Sequence, residues 1–344
     1  MVEIDGTQGE GGGQIVRTAL GLSLLTQRPV RITKIRARRS TPGLRPQHVA
    51  AVRAATALGQ AEVDAVEVGT SSFTFAPTTV ATEHYSFDVG TAGSAVLVLQ
   101  TVLPALLTAR APTTLTVTGG THVKWAPPYD FFASAFCPLV QRMGPVLRAR
   151  LDRPGFYPQG GGRCTLRVEP RSALDPLDVT ERSPLRRARA RALVANLPRH
   201  IGERELATLA DGLPIDLDET RIETPAAPGA GNALLLLLDY AHGTTVVSGI
   251  GEKGTPAEDV ARGVVDEARR YLTADAPVGP HLADQLLIPL AMGGGQFRTS
   301  TLTAHTHTNA AVIERFLGDC FSVKASNGGW LVSARPGAGP HASE

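Results

Sequence analysis

One local pattern occurs three times in this chain, and that repetition limits its fold more than any other feature. Asp5-Gly-Thr-Gln-Gly-Glu-Gly-Gly-Gly leads into the apolar run Ile15 to Leu25, and Asp88-Val-Gly-Thr-Ala-Gly-Ser leads into Ala95 to Leu107. A short alternating segment precedes each (Val2-Glu-Ile, then Tyr85-Ser-Phe), so each reads as strand, glycine turn and buried helix. A β-rich stretch follows each, Val30-Arg-Ile-Thr-Lys-Ile-Arg and Thr114-Leu-Thr-Val-Thr, and then a Pro-containing turn opens a second helix. His281-Leu-Ala-Asp-Gln into Leu286 to Met292, strand Gln296 to Thr303 and helix Ala310 to Leu317 suggest a third copy. A period of about eighty residues is too long for a solenoid. The fold class expected is therefore α/β: a large domain of three repeated units, each with two helices packed on a sheet.

A segment of different character lies between copies two and three. Residues 184–277 read strand, helix, two strands and helix, with fourteen acidic against eleven basic side chains, a net −3 that leaves +5 for the rest of the chain. The expected division is 1–183 for repeats one and two, 184–277 for a smaller inserted α/β domain, 278–335 for repeat three, and 336–344 for a flexible Pro/Gly/Ala-rich tail. At 344 residues the chain is about twice a typical domain, which this division accommodates.

Composition removes several function classes. Hydrophobic residues at 42% and charged residues at 19% exclude wholesale disorder. The longest apolar stretch, Ser94 to Ala109, is too short to span a bilayer and contains Gln100 and Pro104, so no membrane partner is expected. Three distant cysteines argue against a disulfide framework, and no basic-then-apolar leader opens the chain; both point to the cytoplasm. The net charge of +2 hides a gradient: residues 11–61 hold eight arginines and Lys34 with no acid at all. An anionic partner, phosphate or nucleic acid, accounts for that better than an Arg-rich composition does.

Several residues can carry chemistry. The Gly9-Glu-Gly-Gly-Gly-Gln turn could cradle phosphate at a helix start, but it is neither a Walker A motif nor a dinucleotide fingerprint, since Gln14 sits where the third glycine belongs. A tight strand-to-helix turn is the plainer account. Glu10 within it suits a Mg²⁺ ligand or a partner for a hydroxyl. Arg36, Arg38 and Arg39 fall at a strand end, with Arg45, Gln47 and His48 at the next helix start; phosphate contact is favoured over a solvated basic face. Gln100 is a lone amide in a buried helix and either satisfies backbone or faces a pocket. Asp284 and Gln285 open the third copy where Glu10 opens the first, although Asp284 also suits an N-cap. His305 and His307 lie in a polar turn between strand and helix, the place of an exposed but fixed catalytic group. A zinc pair there would lack further ligands.

Together these residues resemble the RNA 3′-terminal phosphate cyclase family. The matching pieces are Asp5-Gly-Thr-Gln-Gly-Glu-Gly-Gly-Gly-Gln-Ile-Val-Arg, Ile35-Arg-Ala-Arg-Arg-Ser-Thr-Pro-Gly-Leu-Arg-Pro-Gln-His, Gly155-Phe-Tyr-Pro-Gln-Gly-Gly-Gly, His281-Leu-Ala-Asp-Gln-Leu-Leu-Ile-Pro-Leu-Ala and His305-Thr-His-Thr-Asn. The resemblance implies units of two helices on a four-stranded sheet, with the small domain inserted before the third. It also implies ATP-dependent conversion of an RNA 3′-phosphate to a 2′,3′-cyclic phosphate, with His305 as the histidine that becomes adenylated. By position it places Glu10, Gln100 and the run His281, Leu282, Ala283, Asp284 and Gln285 around ATP, with Pro128 and Phe131 against the adenine. Glu10 is the metal residue, for Mg²⁺ or Mn²⁺. Gln14, Arg17, Arg36, Arg39, Gln47 and His48 are then the phosphate and RNA contacts. The partners implied are ATP and an RNA with a 3′-phosphate end, with a homodimer as the assembly to be tested.

The sequence departs from the family pattern at three histidines: His281 in place of a tyrosine, His122 in place of Asp or Asn, and His307 beside the nucleophile. Two other readings compete. Non-catalytic relatives that serve ribosomal RNA maturation as binding proteins are expected to lack the histidine. Enolpyruvyl transferases use a related repeat, but with two domains of three units and a longer chain.

Overall fold

The computed structural model describes residues 1–337. The first unit runs β1 (Val2–Asp5), α1 (Gly13–Thr26), β2 (Val30–Thr33), α2 (Pro46–Gly59), β3 (Glu62–Val63) and β4 (Phe73–Ala76). Its sheet has the order β1-β2-β4-β3, with β1 parallel to β2 and the other pairs antiparallel. The second unit repeats this: β5 (His84–Asp88), α3 (Ala95–Leu107), β6 (Thr113–Gly119), a helix broken into α4 (Tyr129–Phe131), a π-turn and α5 (Cys137–Gln141), then β7 (Val146–Arg153) and β8 (Gly162–Glu169), ordered β5-β6-β8-β7.

A short strand β9 (Leu177–Val179) comes next, followed by the insert: β10 (Arg187–Ala195), α6 (His200–Gly212), β11 (Glu219–Glu223), β12 (Gly231–Asp239), β13 (Thr244–Ile250) and α7 (Ala257–Thr273). The chain then continues through α8 (Pro280–Gly293), β14 (Gly295–Thr299), α9 (Ala304–Leu317), β15 (Phe321–Ser326) and β16 (Gly329–Ala334). The sheet of this third unit, ordered β15-β16-β14-β9, again has the same topology, with β9 parallel to β14. The insertion therefore interrupts the third unit after its first strand and does not precede it. Hydrogen bonding, not chain continuity, defines a sheet, and a three-residue strand leaves little periodic signal. The expected tail, 336–344, lies for the most part outside the described residues.

Helices α1, α3, α8 and α9 form the centre of the main core, where Ile15, Leu20, Leu22, Val98, Leu286 and Ile313 are buried. Ser94 starts α3 by accepting the Leu97 N–H at 3.2 Å, and Thr303 starts α9 by accepting the Thr306 N–H at 3.2 Å, so two orphan helix donors are satisfied. The run of five leucines in β12 is explained by burial on both faces. Leu234, Leu236 and Leu238 pack under α6 and α7, while Leu235 and Leu237 join the main core. Strand β11 carries no apolar alternation and is not legible from sequence.

Candidate active site

The site forms where the first turns of α1 and α9 meet. His305 is the second residue of α9, in its first turn, and is exposed. This corrects the expected polar turn: the helix begins at Ala304, so His305 and His307, two residues apart, point in different directions. His305 Nδ1 lies 2.7 Å from Gln14 Oε1, and Nε2 lies 2.7 Å from Glu10 Oε2. Gln14 in turn donates its amide Nε2 to Asp284 Oδ1 at 2.5 Å. Because the carboxylate accepts from the Gln14 NH₂, the Gln14 oxygen faces the ring and accepts from His305 Nδ1–H. A neutral His305 then keeps its lone pair on Nε2.

Neighbouring residues hold this chain in place. Asn309, one turn after His305, donates to the Asp284 carbonyl at 2.9 Å and accepts from Thr18 Oγ1 at 2.7 Å. Thr308 Oγ1 accepts the Glu10 N–H at 3.3 Å. Gly9, with φ +51°, lies so close that a Cβ there would sit 1.9 Å from Thr308 Oγ1. Sequence reasoning passed over Thr18, Thr308 and Asn309; the four-residue spacing of His305 and Asn309 is informative only once the helix start is known. Burial raises the Asp284 carboxyl above its ordinary value, against the pull of Gln14, His305 and Arg17. Burial also lowers Arg17 to about 10, opposed by Asp284.

A family model for RNA 3′-terminal phosphate cyclase matches residues 8–323. The chain belongs to this family. RNA 3′-terminal phosphate cyclases of three organisms illustrate the likeness. That of Koribacter versatilis is 46% identical over 325 residues, covering 94% of this chain and 92% of its own. That of Salmonella enteritidis is 46% identical over 333 residues, covering 96% and 98%, and that of Ralstonia nicotianae is 48% identical over 333 residues, covering 96% of each chain.

The structure does not bring every sequence-derived residue of this cyclase-family chain to the histidine. Gln100 meets Gln285, Nε2 to Oε1 at 2.5 Å, joining α3 to α8 beside Asp284. Arg39 reaches the Glu10 carbonyl at 3.3 Å, and Gln47 Oε1 accepts the Ser94 N–H at 3.2 Å. Arg36 and Arg38 are not on a strand, because β2 ends at Thr33 and both Lys34 and Arg36 adopt left-handed backbone. Arg36 Nη1 donates to the carbonyls of Thr41 (2.6 Å) and Gly43 (3.0 Å), so it braces the arginine loop from within.

His48 is buried behind the glycine turn and presents no surface to RNA. Burial, with Arg17, Arg36 and Arg45 adding to it, lowers its pKa to about 3; it is a neutral scaffold group whose Nδ1 accepts the Arg45 N–H. Leu282 and Ala283 are buried in the core, so their side chains do not face the site at His305. Phe131 is likewise a core residue, and Pro128 precedes α4. His281 is exposed, 3.9 Å from Glu267. Among the described residues no three His, Cys, Asp or Glu side chains gather as a metal site, and no helix is long and apolar enough to cross a membrane.

Proposed function

We propose that this protein is an ATP-dependent RNA 3′-terminal phosphate cyclase that works through a covalent histidine–AMP on His305. The single observation that carries the reading is the Asp284–Gln14–His305 chain, which holds the proton on Nδ1 and makes Nε2, once released from its 2.7 Å contact with Glu10 Oε2, the nitrogen with a lone pair to give. Family membership supplies the reaction, and the chemistry follows from the residues. Nε2 attacks the α-phosphorus of ATP, an N–P bond forms, and the P–O bond to pyrophosphate breaks. Gln14 holds the Nδ1 proton throughout and so stabilises the positive ring that attack creates.

The terminal 3′-phosphate of RNA then displaces the histidine, taking AMP and returning the electron pair to Nε2. The 2′-oxygen attacks the 3′-phosphorus, loses its proton and expels AMP. Activation is needed because a phosphate monoester dianion has no good leaving group. Glu10, whose Oε2 is buried with no hydrogen-bond partner apart from its contact with His305, fits a divalent-cation ligand; Mg²⁺ or Mn²⁺ held by it and by triphosphate oxygens would supply charge neutralisation. One protein carboxylate is few for a dedicated site, which suits an ion that arrives with the nucleotide. Arg39 and Arg17 supply fixed positive charge near the same turn. Gln100 and Gln285 border the nucleotide, the reaction belongs to RNA processing, and the cytoplasm is its setting.

The reading is tested with an oligoribonucleotide ending in a 3′-phosphate. Wild-type protein with ATP and Mg²⁺ should convert it to a phosphatase-resistant 2′,3′-cyclic end, and His305→Ala should lose more than about a thousandfold in rate. Intact RNA binding without conversion by the wild type would favour the binding-protein reading.

A further inference from the structure

The second sheet has helices on one face only: α3 and α5 pack against β6, β7 and β8, and among the described residues no helix covers the other face. Five exposed arginines stand on that open face, Arg148, Arg150 and Arg153 on β7 with Arg163 and Arg167 on β8. Their register is costly for the fold. Arg148 lies directly opposite Arg167, and Arg153 directly opposite Arg163, and like charges in opposed positions repel. Glu169 is shared between Arg148 and Arg167 at 3.6 and 3.3 Å, and Asp152 answers Arg150 at 2.7 Å. Arg153 and Arg163 have no carboxylate partner among the described residues. By contrast, the open face of the first sheet sets Glu3 opposite Arg31, and that of the third joins Gln296 to Asp178.

The adjoining strand adds hydroxyls, with Thr114, Thr116 and Thr118 opposite Arg167, Thr165 and Arg163. Arginine forks and hydroxyls in rows suit phosphodiester oxygens. The face also runs to Gln47 at the start of α2. Arg163 adjoins the Gly119–Gly162 pair, Gly119 packs against Gly93, and the Ser94 N–H next to it donates to Gln47. From Arg163 to Arg167 the face spans about 13 Å, room for roughly two or three phosphates.

We propose that this open face binds the sugar–phosphate backbone of the RNA upstream of its reacting 3′ end. The proposal rests on the cyclase reading, which supplies the RNA, and adds a path for its body. Charge complementarity carries it: five arginines on this face meet two carboxylates, Glu169 and Asp152, and an anion laid between Arg153 and Arg163 supplies the partner that pair lacks.

The test compares fluorescent oligoribonucleotides of three and twelve nucleotides, each with a 3′-phosphate, for equilibrium binding against KCl concentration and for cyclisation. Wild-type protein should bind the 12-mer at least tenfold more tightly than the 3-mer at low salt. The triple variant R148Q/R163Q/R167Q should lose most of that advantage, with the salt slope for the 12-mer falling by about 0.7 for each phosphate contact removed. A charge-matched variant on distant surfaces, R262Q/R270Q/R315Q, should keep it. No length advantage in the wild type, its retention in the face variant, or equal loss in both variants would each overturn the proposal. Retention would also leave an acidic protein as the occupant to seek. Length advantage without cyclisation of either oligonucleotide would contradict the enzymatic reading while supporting the face.

Discussion

His305 is gripped at both ring nitrogens, and the two contacts do different things. Gln14 on Nδ1 is itself fixed by Asp284, so it sets which nitrogen carries the proton; Glu10 on Nε2 stands where the proposed mechanism brings the α-phosphorus. Gln14→Ala should therefore slow nucleophilic attack about 10- to 100-fold, the usual cost of losing an outer partner, while the KM for ATP changes little. A stopped assay of pyrophosphate release measures both. Glu10→Gln should act differently, raising the divalent-cation concentration needed for half-maximal rate, because a neutral amide is a poor ligand for a hard cation. At this scale the sequence was informative about residue types but not about their directions. Arg36 and His48 show why: both lie in the acid-free basic segment, yet one braces a loop and the other is buried against Gly13. No linear pattern distinguishes an arginine that donates to its own loop from one that reaches outward.

The helix starts and the sheets determine how firmly those residues are held. A Cβ on Gly13 would lie 2.0 Å from His48 Nε2, so Gly13→Ala should displace the ring, shift the first turn of α1 and destabilise the fold by about 1–3 kcal/mol in denaturant unfolding. In the insert, Glu205 on α6 is buried, with one oxygen accepting from Asn232 at 2.8 Å and the other without a partner. Burial raises its pKa to about 7. The folded state thus keeps a proton that the unfolded chain releases near pH 4.5, so stability falls as pH rises from about 4.5 to 7 and then levels off. Glu205→Gln should abolish that pH dependence, worth roughly 3 kcal/mol, and thermal unfolding at pH 5 and pH 8 reads it directly. Helices were the legible elements, because their apolar runs are long. Strands β9 and β11 were not: one is three residues long and the other is half-exposed, so neither leaves periodicity.

Across the whole molecule, three sheets of one topology and a two-sided insert share a core, and one polar chain ties the insert to the second unit. His122 Nε2 contacts Asp130 at 2.8 Å, Asp130 accepts from Arg191 at 2.6 Å, and Arg191 makes two bonds to Glu223 at 2.8 and 2.9 Å. Burial alone would raise the Asp130 carboxyl, but the bonds from His122 and Arg191 bring it below its ordinary value. Arg191→Ala would strand a buried carboxylate and should cost roughly 3 kcal/mol. His122, one of the three histidines that depart from the family pattern, is thus a buried structural partner of Asp130. The architecture was legible from the threefold repeat and from the acidic composition of the insert, whereas the joint between them, built from residues 61 positions apart, was not. In the proposed function, this architecture presents one histidine nitrogen to ATP. Incubation with α-labelled ATP and Mg²⁺, followed by mass spectrometry of the intact protein and its peptides, tests it most directly. A single acid-labile AMP adduct is expected on the peptide containing His305, absent in His305→Ala and present in His307→Ala. An adduct on His307, or none on wild-type protein, would contradict it.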